Sequence, residues 1–157
     1  MSLITLETIE AAHQEVSKLI ADFKEQATRT TVHTIAQVDI TLRPGDRYVG
    51  PVLDETGKLL HHLVLMAERP AKKLNWQAAK DWAAAMGATL PNRQEQALLY
   101  ANCKPHLKPE WHWSCEEHED DASCAWYCDF YDGSQGDDPK SYEGSVVAVR
   151  LIPLLTA

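Results

Sequence analysis

The chain has 157 residues, 45% of them hydrophobic and 24% charged, and a formal net charge of −8. One domain of this length buries a normal core without metals or disulfides, and no apolar run approaches the roughly 20 residues of a membrane helix. The negative balance argues against direct nucleic-acid binding through counterion release.

The first segment reads as a helix with a heptad seam. Leu6, Ile9, His13, Val16, Ile20, Phe23 and Ala27 follow a three-four spacing that puts them on one stripe. Thr5 fits the N-cap, and Glu7 and Glu10 lie near the positive end of the helix dipole. Residues 1–28 are therefore read as an amphipathic helix that self-associates, as a homodimer or homotrimer, through Leu6, Ile9, Val16, Ile20 and Phe23, with His13 as a tolerated polar layer. "MSLITLETIEAAHQEV" lacks the basic start and apolar block of a secretion signal, so the expected compartment is a reducing cytosol.

Residues 29–157 form the second expected unit. "ATRTTVHT" is a polar connector, and "IAQVDITL" alternates as a half-buried strand would, with Ala36, Val38, Ile40 and Leu42 on one face. "RPGDR" is a turn, and "YVGPVL", "DETGK" and "LLHHLVLM" read as strand, turn and strand. His61 and His62 are adjacent, so they point to opposite faces and do not share a metal. Asn75 caps a helix over "WQAAKDWAAAM", whose core stripe is Trp76, Ala79, Ala83 and Met86, with Gly87 at its C′ position. Asn92 and Glu95 have the spacing of a capping box, Leu98 and Leu99 bury the helix they open, and Pro105 with Pro109 ends it. From Trp111 onward the pattern is strand and loop: "WHWSC" a strand, "EEHEDDAS" a loop, "CAWYCDFY" a strand closed at Asp132-Gly133, "SQGDDPKSYEG" a loop, and "SVVAVRLIP" a strand apolar enough to be central. The expected class is α+β, with antiparallel sheet and two helices packed beside it.

Charge is concentrated in one window. Residues 116–143 hold ten acids and one base, Lys140, a net of −9. A solvated acidic face is the plain reading; a cation site, a basic partner and mimicry of nucleic acid are the sharper ones.

"LNWQAAKDWAAAMGATLPNRQEQALLY", "WHWSCE", "AWYCDFYDGSQ" and "VVAVRLIP" occur in an order that resembles a known family. It is the C-type-lectin-like domain of phage and bacterial proteins of unknown function, related to the C-terminal domain of a Legionella collagen-like adhesin. The corresponding pieces are Trp76 and Trp82, Leu90-Pro91-Asn92-Arg93, His112 to Cys115, Ala125-Trp126 with Phe130 and Asp132-Gly133, and Val149-Arg150, over about residues 74–152. The resemblance implies a C-type-lectin-like fold with long loops, phage or prophage origin, and a place in the host cytoplasm or in a virion. It also implies that Trp113, Trp126 and Phe130 are structural. The Glu-Pro-Asn, Gln-Pro-Asp and Trp-Asn-Asp triplets of calcium-dependent sugar-binding lectins are missing. So is the cysteine motif of the formylglycine-generating oxidase relatives, which makes an enzyme of that branch the remotest alternative.

The stretch "WHWSCEEHEDDASCAWYC" holds three of the four cysteines. Cys124 and Cys128 are four apart, about 13 Å along a strand at ~3.3 Å per residue, too far to share a zinc that binds each thiolate at about 2.3 Å. A bridge between Cys115 and Cys124 across the acidic loop stays open. Cys115 with His112 or His118 has the residue types of a nucleophile and base, as any loop so rich in acids and histidines would. Asp132, Asp137 and Asp138 could face a hard cation, but their spacing matches no calcium loop and Lys140 opposes it. No cofactor and no metal is expected. The function expected is non-enzymatic binding of a protein or glycan partner, with no membrane involvement, through loops at 116–121 and 132–143. Its candidate contacts are Trp111, Glu116, Glu117, His118, Glu119, Asp120, Asp121, Asp132, Asp137 and Asp138. The alternative is an intracellular acidic inhibitor of a host defence or nucleic-acid-processing complex.

Overall fold

A computed structural model describes residues 4–29 and 38–154. The chain divides into two units, Met1–Asp39 and Ile40–Ala157. The described part of the first is one helix, α1 (Leu6–Thr28), which starts where the sequence places it. The Thr5 hydroxyl accepts from the Thr8 N–H at 3.3 Å and Thr8 returns the bond to the Thr5 backbone, so two orphan donors are satisfied. None of its residues is buried, and Leu6, Ile9, Val16, Ile20 and Phe23 are all exposed.

The second unit is α+β. Its elements are β1 (Arg47–Leu53), β2 (Leu59–Leu65), α2 (Trp76–Ala85), α3 (Arg93–Cys103), a short 3-10 turn (Lys104–His106), β3 (Trp111–Glu117), β4 (Cys124–Asp129), β5 (Gln135–Pro139) and β6 (Val149–Pro153). They form two three-stranded antiparallel sheets, β1-β2-β6 and β3-β4-β5. Asn75 and Asn92 cap the helices as expected, Glu95 completes the capping box, and Gly87 closes α2 at φ 68°, a conformation glycine adopts without strain. Among the described residues no helix is long and apolar enough to cross a membrane.

Two apolar clusters make the core. The first joins Val49, Val52, Leu63 and Leu65 of the first sheet to Leu99, Cys103, Cys128 and Phe130. The second gathers Trp76, Ala79 and Ala83 of α2 around Trp113, Leu90 and Ala125. Residues 145–149 thread between them, Val147 and Val149 in the first cluster and Val146 and Ala148 in the second. This explains the unbroken apolar run "VVAV": both of its faces are covered.

Four sequence expectations need correction. Residues 38–42 form no strand and pair with neither open edge of the first sheet; Ala36 lies outside the described residues. "SQGDDPKSYEG" is not all loop: its start is β5, paired with β4 through Cys124↔Pro139 to Cys128↔Gln135. Backbone pairing with β4 outweighs the low strand propensity of Gly, Asp and Pro there. The final strand is not central. Its apolar first half crosses the middle of the unit outside any regular strand, whereas β6 forms a ladder with β2, bridges Thr89 at Val149 alone and leaves Leu151 exposed. Glu116 and Glu117 belong to β3, so the acidic loop begins at His118.

Candidate functional site

Glu116, Glu119 and Asp137 collect around Trp126, His118 and the start of α3. Trp126 shares its strand face with Cys128, a core residue, but it is half-buried and belongs to neither apolar cluster. That corrects the expectation of a core tryptophan. Beyond Cys128 the core residues of α3 run out, and what covers the indole is Arg93, the first residue of that helix, with its guanidinium carbon 3.6 Å from the ring centroid.

Arg93 holds four elements at once. Its Nε donates to Gln135 Oε1 at 3.0 Å, and Gln135 Nε2 donates back to the Arg93 carbonyl at 2.7 Å, which fixes β5. Its backbone N–H donates to Glu116 Oε2 at 2.6 Å, so a carboxylate of β3 sits where the helix dipole favours an anion. Its guanidinium also lies 3.8 Å from Glu119, which accepts the Trp126 indole N–H at 3.1 Å. Its own backbone N–H first, then that indole bond and the nearby His118 and Arg93, hold the Glu119 carboxyl below its ordinary range.

His118 stacks on Trp126, centroids 5.0 Å apart and planes 26° from parallel. Its Nδ1 accepts the Asp120 N–H at 3.2 Å, which leaves Nε2 facing Asp137 at 4.0 Å. The loop between β3 and β4 is tied along its length. The His118 N–H reaches the Cys124 carbonyl, Asp121 accepts from the backbone and hydroxyl of Ser123, and Lys140 pairs with Glu117 at 3.1 Å while donating to the Ala122 carbonyl. Beside this arrangement lies an open depression of about 610 Å³ whose polar lining is Asn92, Arg93, Gln94, Glu116 and Gln135.

Of the residues named from sequence, Glu116, Glu117, His118, Glu119, Asp120, Asp121 and Asp137 are brought together here. Asp138 is adjacent on β5, its pKa raised by burial and by Asp137. Asp132 is apart from them, spent on the turn where it accepts from the backbone and hydroxyl of Ser134. Trp111 is not an exposed aromatic: it packs on the second cluster, edge-on to Trp113 at 5.0 Å and tilted against Tyr127 at 5.3 Å. Arg93, Gln94 and Gln135 escaped the sequence reading because their convergence depends on strand pairing. The only local signal was the capping box that starts α3 at Arg93.

The thiols do not form a reactive pair. All four cysteines are free, and burial together with nearby acids pushes Cys115 and Cys128 up to about 11. Among the described residues no group of three or more His, Cys, Asp or Glu side chains is placed to hold a metal. No family model matches the chain, and no curated protein matches it.

Proposed function

We propose that this chain is a non-enzymatic binding module with a C-type-lectin-like fold, of phage or prophage origin. It would hold a protein or glycan partner on the surface formed by the start of α3, the 118–123 loop and β5. The observation that carries the reading is the depression beside Trp126. Amide, guanidinium and carboxylate groups converge on it from three elements and are held in place by one another before any ligand arrives. Pre-ordered polar groups next to an aromatic ring suit either a polyhydroxylated ligand or a protein hot spot. Thiols held protonated fit a binding role better than nucleophilic chemistry.

The α1 seam would supply self-association, which raises apparent affinity for a repetitive surface. The test is binding to glycan arrays and to intact host cells, for the native chain and for Ala97→Arg. Ala97 is exposed in the depression, so this change fills the site without removing a contact. Binding by the native chain and at least a tenfold loss in Ala97→Arg is the expected result. Equal binding by the two, or none by the native chain, overturns the proposal. In the mimicry alternative the partner is a basic protein from host lysate, and its affinity falls as salt is added.

A further inference from the structure

A second cavity, sharing no residue with the surface around Trp126, lies between the loop after β2 and the start of β3. It has a volume of about 80 Å³ and is lined by Arg69, Lys72, Lys73, Lys108, His112 and Ser145, with small apolar neighbours. We propose that it binds the phosphoryl group of a phosphate monoester or of inorganic phosphate.

Charge is the first argument. Four cations, Arg69, Lys72, Lys73 and Lys108, meet two acids, Glu110 and the exposed Glu68, in a chain whose net charge is −8. Glu110 is already engaged, by Lys73 at 3.0 Å and by the Ser145 hydroxyl. Lys72 and Lys108 have no carboxylate within ion-pair distance among the described residues. The Arg69 guanidinium is hydrogen-bonded by backbone carbonyls alone, those of Met66, Glu68 and His106, and the nearby Glu68 carboxylate makes no ion pair with it, so its N–H groups stay at the rim. A guanidinium and lysines around a concavity are the donors that oxyanions use.

The second argument is His112. It is 2% exposed, and its Nδ1 lies 2.8 Å from the Glu110 carbonyl, which can only accept, so Nδ1 carries the proton. Nε2 of the neutral ring is then a lone pair; it has no partner among the described residues, and the residue lines the cavity. A ring acceptor with no protein partner in a residue that lines a cavity is open to a donor from a ligand. A monohydrogen phosphate group answers both features, because its oxygens accept from Arg69 and the lysines while its P–O–H donates to Nε2. Sulfate carries no such proton at neutral pH, so the ring selects phosphate over sulfate.

The experiment is calorimetry and NMR on the full chain titrated with inorganic phosphate, sodium sulfate and sodium chloride at matched ionic strength. Saturable binding of phosphate, at least tenfold weaker binding of sulfate, and movement of the His112 ring nitrogen resonances are expected. Lys72→Gln/Lys108→Gln, a change confined to exposed side chains, should weaken phosphate at least tenfold without altering the fold. Two parallel arms, glycerol 3-phosphate and vesicles containing phosphatidic acid, name the source: tighter binding of the first marks a small phosphorylated molecule, of the second a lipid headgroup, and either supports the site. No saturable phosphate binding, equal affinity for sulfate, or an unchanged affinity in the double variant overturns it.

Discussion

Removing the Arg150 guanidinium would leave the Asp46 carboxylate with only two backbone N–H donors, those of Ala67 and Arg43, in an almost dry position. Arg150→Met should cost about 3 kcal/mol in chemical denaturation, the usual price of an orphaned buried charge. Burial acts to raise the Asp46 pKa, but the bonds from Ala67, Arg150 and Arg43 outweigh it and the net shift is downward. A depressed carboxyl stabilises the fold above its unfolded pKa of 3.8 and loses that contribution as pH falls through its folded value. The gap between native and Arg150→Met should therefore close below pH 3.8. His112 acts in a higher window. Burial, opposed by the carbonyl and charge of Glu110 and aided by Arg69 and Lys108, brings it from 6.5 down to about 4. The unfolded chain takes up a proton near 6.5 that the folded chain refuses until near 4, so stability falls with pH across that interval, by up to about 3 kcal/mol. Urea unfolding of His112→Gln followed from pH 7 to 4 should show a flatter profile than the native chain; equal slopes would mean that another group is responsible.

At the scale of elements, what the sequence reveals and what it hides divide along local and non-local lines. Every helix start was readable, since Thr5, Asn75 and Asn92 act on backbone within three residues of themselves. The β1-β2 hairpin was readable for the same reason. β5 was not, because "QGDDP" becomes a strand only when β4 lies beside it, and β6 was misplaced because its apolar neighbours are buried by cluster packing and not by a ladder. Trp126 and Trp111 exchanged roles for a related reason. Alternation assigns a side chain to a face but does not say how far the covering element extends. Gly144 marks where Trp111 lies, since a Cβ there would overlap its six-membered ring. Gly144→Ala should cost about 1–3 kcal/mol by overpacking, measurable as a lowered Tm. In α1, Ile20→Asp breaks the middle of the exposed seam. Sedimentation should show a shift toward monomer, while the thermal transition of the second unit stays within a degree or so.

The whole second unit brings a tethered acidic surface and a cationic cavity to the two ends of one strand. His112, the second residue of β3, lies at the cavity, and Glu117 closes the strand at the acidic loop. Five residue steps of extended chain separate them by at most about 17 Å. Screening in physiological salt acts over about 8 Å, roughly half that distance. A charged surface near one end therefore senses that end alone, and the total of −8 describes only how the molecule behaves in dilute salt. The unit is a short electric dipole laid along β3. Beside an anionic layer it should turn its Arg69 end inward and hold Trp126 outward. Affinity for that layer should then pass through a maximum as salt rises, first freed from long-range repulsion and later deprived of the local attraction.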